Sequence, residues 1–142
     1  MILVDVNLLV YAYNSGSDQH AGAQAWLERE LSSSTAVGLP WHTLLGFLRL
    51  STNARVFATP LSTAEAWRRV TTLLSIDGVW APQPTTKHAE VLGALLVQPS
   101  VHGNLVSDAH LAALAIEHGL TLCSTDGDFA RFKGLRWRNP LA

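Results

Sequence analysis

Four aspartates stand where an apolar run gives way to a different kind of segment. Asp5 follows Ile2-Leu3-Val4, Asp108 opens the helical stretch that runs to Gly119, and Asp126 and Asp128 follow the apolar run that begins at Leu120. Acids at the carboxyl ends of parallel strands lie where open α/β sheets bind their ligands. Carboxylates gathered there repel and raise one another's pKa, and a divalent cation offsets that cost. With no Cys or His interleaved among them, the donor set is all oxygen and suits Mg²⁺ or Mn²⁺. A cation so held lowers the pKa of water and stabilises charge on a phosphoryl group, so phosphodiester hydrolysis is a natural use. Each acid also has a plainer role. Asp108 suits a helix N-terminus through the macrodipole, and Asp126 suits an Asx turn. Asp5 is the hardest to explain that way, since a carboxylate behind three apolar residues is expected to be largely buried.

The elements that must hold these acids follow from periodicity and punctuation. Ile2–Val6 reads as a strand, Leu8–Tyr13 as the start of a helix broken by Asn14–Ser17, and Asp18–Leu31 as an amphipathic helix. Thr35–Leu39 is a short strand. Pro40 fits the first turn of a helix over Trp41–Ser51, and Ser62-Thr-Ala-Glu65 is a capping box for a helix reaching Ser75. Val79–Ala81 is a strand, Thr86–Val97 a helix, and Gly119 the natural stop of the helix bearing Asp108. Leu120–Ser124 is a strand, Asp126–Phe129 a loop or single turn, and Leu135–Trp137 a last edge strand. This alternation predicts parallel βαβ units in a layered α/β sandwich.

Composition narrows the classes. The 142 residues are 48% apolar and 15% charged, which suits one packed domain over residues 1–142 and excludes a disordered chain. A formal net charge of −1 gives no global attraction for nucleic acid. Local basic groups, Arg131, Lys133, Arg136 and Arg138 near the end and Arg49, Arg55, Arg68 and Arg69 in the middle, are the phosphate-binding candidates. The lone Cys123 rules out an internal disulfide and falls in a strand, as a small hydrophobe. No basic leader precedes the first strand and no stretch reads as a membrane span, so a cytoplasmic protein is expected. No two of the six histidines lie three or four apart, so a helical zinc pair is absent. His42 is placed near the cleft, and His110 and His118 at a helix surface or end. Glu65, Glu90 and Glu117 read as solvated helix residues. There is no Gly-x-Ser-x-Gly elbow and no Walker motif.

The order strand-Asp5-Val-Asn7, then Asn104-Leu-Val-Ser-Asp108 with its helix to Gly119, then Leu122-Cys-Ser-Thr-Asp126-Gly-Asp128-Phe129, resembles the PIN-domain family of nucleases, which includes VapC toxins. The middle segment Leu50–Phe57 and the ending Phe132–Pro140 are similar to an actinobacterial, mycobacterial branch of it. The resemblance spans nearly the whole chain. It implies a PIN-like three-layer α/β/α sandwich with a mostly parallel sheet. It implies a Mg²⁺- or Mn²⁺-dependent endoribonuclease toxin, with tRNA or ribosomal RNA as substrate by family analogy. It further implies a homodimer inhibited by a VapB-like antitoxin, with no membrane partner. Carried over by position, it makes Asp5, Asp108 and Asp126 the catalytic metal carboxylates, with Asp128 a further metal ligand. Asn7 and Ser124 become supporting polar groups. One departure stands out: the family's usual Glu in the helix after the second strand falls at Gly46. That loss motivates an alternative, a degenerate PIN domain that binds RNA or protein without cleaving. It also leads to the expectation that Gly46→Glu would tighten metal binding.

Overall fold

The computed structural model describes all 142 residues. Five strands, β1 (Ile2–Val4), β2 (Val37–Gly38), β3 (Val79–Trp80), β4 (Thr121–Cys123) and β5 (Trp137–Arg138), form one sheet in the order β3-β2-β1-β4-β5. Every pairing is parallel. Six α-helices connect them: α1 (Val6–Tyr13), α2 (His20–Ser32), α3 (Trp41–Ser51), α4 (Thr63–Leu74), α5 (His88–Leu96) and α6 (Leu105–His118). None is long and apolar enough to cross a membrane.

The three layers follow from the twofold alternation of strand side chains. Ile2 and Val4 enter a core with Leu8, Trp26, Leu44, Phe47 and Val70, contributed by α1 to α4. Leu3, between them, enters a separate core with Leu95, Leu111, Leu114 and Phe129, contributed by α5, α6 and the 3₁₀ turn Gly127–Arg131. Leu122 and Cys123 divide in the same way. Burial on both faces explains why the strands read as continuous apolar runs.

The elements are shorter than the sequence predicts, for local reasons. β1 stops at Val4 rather than Val6 because the Asp5 carboxylate accepts a hydrogen bond from the Val6 amide at 2.7 Å and caps α1. The third helix matches its expected bounds, and Ser62 caps α4 by accepting from the Glu65 amide at 3.1 Å. The helix expected from Thr86 begins at His88, since Thr85 is held by Glu117 through both its amide and its hydroxyl. Gly119 ends α6 in the left-handed region at φ 66°, where an added Cβ would be strained.

The strand order reverses direction at β1. The chain first builds outward through β2 and β3, then returns to place β4 on the other side of β1. That switch point opens a crevice at the carboxyl ends of β1 and β4, where Asp5 and the Ser124–Asp126 segment emerge. One buried bond fixes the wall beside it. The Thr43 hydroxyl, fully inaccessible, donates to the Val4 carbonyl at 2.6 Å and pins the first turn of α3 to the last residue of β1. Thr43→Val keeps the shape and removes the donor. It should cost on the order of 1–2 kcal/mol, read as a lower urea midpoint; an unchanged midpoint would show that the bond contributes nothing.

Candidate active site

Asp5 is buried, with 8% of its surface exposed. One carboxylate oxygen caps α1, and the other accepts the Ser124 hydroxyl at 2.7 Å. The Ser124 oxygen in turn accepts from the Asn7 side-chain amide at 3.2 Å and from the Asp126 backbone amide at 3.0 Å. Ser124 is fully buried. It thereby links the end of β1, the first turn of α1 and the loop after β4. Its single proton is spent on Asp5, so Asn7 must present its NH₂ to it. The Asn7 carbonyl oxygen is left buried with no partner.

Asp126 accepts the Asp128 amide at 2.9 Å and caps the 3₁₀ turn. Asp108 lies in the first turn of α6, which runs antiparallel to the strands and so brings its N-terminus to the same edge. The carboxylates of Asp5, Asp126 and the first turn of α6 therefore sit at three helix N-termini, whose partial positive charge favours anions. The plainer roles seen in the sequence are real, and the fold gathers them in one place.

That gathering shows in the electrostatics. Burial raises the Asp5 pKa, Asp126 raises it further, and the hydrogen bonds from Ser124 and Val6 and the charge of His42 oppose the rise. Asp108 is pushed from 3.8 to about 6, by desolvation first and then by the charges of Asp5, Asp126 and Asp128. The four acids thus lie within one another's field. They do not close on a point: no three acid, imidazole or thiol groups stand ready to hold an ion as placed. Asp128 is the outlier, exposed and drawn to Arg131 at 3.0 Å.

The donor set fits a hard divalent cation. It is all oxygen, its members raise one another's pKa, and an unpaired carbonyl oxygen lies beside it on Asn7. The acid that the family usually carries in the third helix has no room here. A Cβ built on Gly46 would meet the two Val6 methyl carbons at 2.7 and 2.9 Å. Tighter metal binding by Gly46→Glu therefore meets a steric obstacle. The side chain would have to displace Val6, the residue whose amide Asp5 caps.

Sequence reasoning missed a second polar cluster. The Glu117 side chain is closed off from solvent, not solvated, and accepts from the Thr85 amide and hydroxyl and from His88 Nδ1 at 2.5 Å. Burial alone would raise the Glu117 pKa, but these bonds hold it below the ordinary carboxylate value. His88 Nε2 lies 3.0 Å from Nδ1 of His110, so His110 is half-buried in a chain rather than at the surface. Desolvation, with His88 and His42 beside it, lowers its pKa. The links span 29 and 22 residues, and no local spacing signals them.

The PIN domain family model matches residues 2–135. The chain belongs to the PIN-domain family. It is 42% identical to Ribonuclease VapC37 of Mycobacterium tuberculosis over 142 residues, covering 100% of this chain and 99% of the relative. It is 40% identical to Ribonuclease VapC33 of the same species over 141 residues, 99% of each. Its fold is similar to VapBC2 from Rickettsia felis bound to a promoter DNA fragment, at TM-score 0.69 and 21% identity over 98% of each chain. It is also similar to Mycobacterium tuberculosis VapC20, a Sarcin-Ricin loop cleaving toxin, at TM-score 0.69 and 23% identity over 96% of this chain and 99% of that one. A cavity of about 330 Å³ lined by Tyr13, Arg68 and Arg69 lies at the far end of α1 from Asp5 and is not this site.

Two outcomes are expected. An acid whose folded pKa lies above its unfolded value takes up a proton on folding, so its ionisation opposes the fold. For Asp108 the cost is absent below about 3.8 and complete above about 6. Unscreened, that displacement is worth about 3 kcal/mol; for a half-exposed group, roughly 1 kcal/mol. In chelator, Asp108→Asn should melt a few degrees above wild type at pH 7 and level with it at pH 4. Added Mg²⁺ should narrow the gap at pH 7, and equal melting at both pH values in chelator would remove the charge-repulsion account. Gly46→Glu should lose about 1–3 kcal/mol through overpacking with no gain in Mg²⁺ affinity by calorimetry. Pairing it with Val6→Ala should recover most of the loss, and tighter metal binding by the single variant would show that α3 shifts to admit the side chain past Val6.

Proposed function

We propose that this PIN domain is a VapC-type toxin, a ribonuclease that hydrolyses RNA phosphodiester bonds with Mg²⁺ or Mn²⁺. Asp5, Asp108 and Asp126 would hold the cation, with Asp128 at the rim. The observation that carries the reading is the mutual electrostatic coupling of Asp5, Asp108 and Asp126 where helix N-termini meet the crevice between β1 and β4. When bound, a divalent cation supplies neutralisation of the phosphodiester charge and a lower pKa for water. The protein's part is positional. Ser124 fixes one Asp5 oxygen by donating to it, and the α1 amide fixes the other. That leaves the Asp5 carboxylate preorganised rather than free to rotate. Asn7 offers its unpaired carbonyl oxygen as an acceptor in the same pocket. Burial and the neighbouring carboxylates raise the Asp108 pKa to about 6. Names such as ribonuclease VapC, and a VapBC assembly among the similar structures, support the toxin reading and a VapB-like antitoxin partner; inhibition by that partner, a homodimer and a structured RNA substrate complete the proposal.

The filled space between Gly46 and Val6 favours one alternative, a PIN domain that binds RNA without cutting it. Cleavage of RNA by purified protein, with Mg²⁺ or Mn²⁺ and again in chelator, separates the two. Wild type should cut only with the cation. Asp5→Asn should lose at least 100-fold of the rate, as loss of a preorganised group at the reacting centre does. It should also stay folded, with stability within about 1 kcal/mol of wild type, because Asn keeps the cap oxygen, loses the Ser124 bond and sheds a buried charge. Unfolding of Asp5→Asn would make Asp5 structural, and RNA binding without cleavage at any metal concentration would favour the alternative.

A further inference from the structure

The carboxylates repel the very polymer they are proposed to cut, and the net charge of −1 provides no general attraction. Cations must come from a flank, and most of the arginines the sequence offered near the C-terminus are already engaged. Arg131 pairs with Asp128, Arg138 with Glu30, and Arg136 donates to the Gly119 carbonyl.

The third helix is different. No acidic residue lies between Glu30 and Glu65, so the positive charge of Arg49 is not offset by its own segment. Arg49 forms no ion pair. Trp41, Leu45 and Arg49, spaced by four, are all exposed and line one face of α3. Trp41 and Leu45 leave 39% and 59% of their surface in solvent. Trp41 is nonetheless held in place. Its ring stacks on Trp67 of α4, with centroids 6.3 Å apart and planes 20° from parallel. Beside this face lies a cavity of about 270 Å³ lined by Val6, His42, Leu45, Gly46 and Arg49. Val6 is the residue whose amide Asp5 caps, so the cavity is lined at one side by the first residue of the helix that Asp5 starts and at another by Arg49. Thr43 anchors the turn between them to β1.

We propose that this face of α3 is a subsite for the single-stranded nucleotides flanking the scissile phosphate. Arg49 takes a backbone phosphate in the cavity beside Val6, and Trp41, braced by Trp67, stacks on a base. The inference rests on the ribonuclease reading and names how that site holds its substrate. A flat ring and a free cation about 12 Å apart along a helix are the two elements that bind single strands without reading sequence: a stacking platform and a phosphate contact. A protein partner would be expected to answer the tryptophans with apolar surface and gains nothing from the unpaired Arg49 beside them.

The test uses the full chain and a fluorescein-labelled single-stranded oligoribonucleotide. Binding is read by anisotropy in the Asp5→Asn background with Mg²⁺, so it does not depend on cleavage. Adding Arg49→Ala or Trp41→Ala should weaken binding about 10-fold, the scale of one lost stacked base. Arg49→Lys and Trp41→Phe should restore most of it. The slope of log affinity against log salt should fall by about 0.7 for Arg49→Ala and stay unchanged for Trp41→Ala. In the wild-type background the same changes should raise KM and leave kcat within twofold. Unchanged affinity in both alanine variants, or no binding by Asp5→Asn at all, overturns the subsite. So does a Trp41→Ala protein that shifts from dimer to monomer on size exclusion with its affinity intact, which would make the face an interface between copies. Binding that behaves as expected alongside wild-type protein that never cuts RNA keeps the subsite and removes the ribonuclease reading.

Discussion

The constraint on which the site depends is that like charges must be held together in the absence of anything between them. Asp108 shows the cost: burial first, and then the charges of three neighbouring acids, push its pKa to about 6. The fold tolerates this because each acid is first of all a local helix-starting group. Asp5 caps α1, Asp126 caps the 3₁₀ turn, and Asp108 lies in the first turn of α6. Positive helix ends offset part of the repulsion, and parallel βαβ connections deliver those ends to one edge of the sheet. Architecture and chemistry are the same fact here: a parallel sheet places helix N-termini beside strand C-termini, and acids that cap the helices become neighbours.

Ser124 converts that neighbourhood into a fixed geometry. A hydroxyl has one proton and two lone pairs, and here all three are committed, to Asp5, Asn7 and the Asp126 amide. Two consequences follow from this count. Asp5 cannot rotate without breaking a buried hydrogen bond. Asn7 is forced to turn its carbonyl away from the only donor in reach, which is why that oxygen remains unpaired. An unsatisfied buried acceptor is normally selected against. Beside four carboxylates it is the kind of atom that a hydrated cation satisfies.

The legibility of the site in the sequence follows from the range of the forces involved. Asp5, Asp108 and Asp126 were visible because each marks a strand or helix boundary, and boundaries are written in a few consecutive residues. The sheet was visible for the same reason, although its strands came out two or three residues long because caps and turns claimed their ends. Glu117 was misread. On α6 it looks like one more polar helix residue, and only the packing of α5 brings Thr85 and His88 onto it. The C-terminal arginines have partners of two kinds: Arg131 pairs with Asp128 three residues away, a spacing that a sequence can show, whereas Arg138 with Glu30 and Arg136 with the Gly119 carbonyl meet only through the fold.

Gly46 shows where a residue-by-residue comparison stops being sufficient. Read alone, it is a missing acid and an invitation to restore one. Read with Val6, it is one half of a contact, since the valine methyl groups fill the space a side chain at 46 would need. The cost of that packing is a ligand position. Its benefit is a rigid joint between α1 and α3, reinforced by the bond from Thr43 to Val4. A wall built that way cannot supply a carboxylate to the crevice. It can present the opposite charge from its outer face, and Arg49, one turn beyond Gly46, is where the helix does so. Losing an acid on the inside and exposing an uncompensated cation on the outside shift the balance of this wall in the same direction, toward holding a polyanion rather than a second metal.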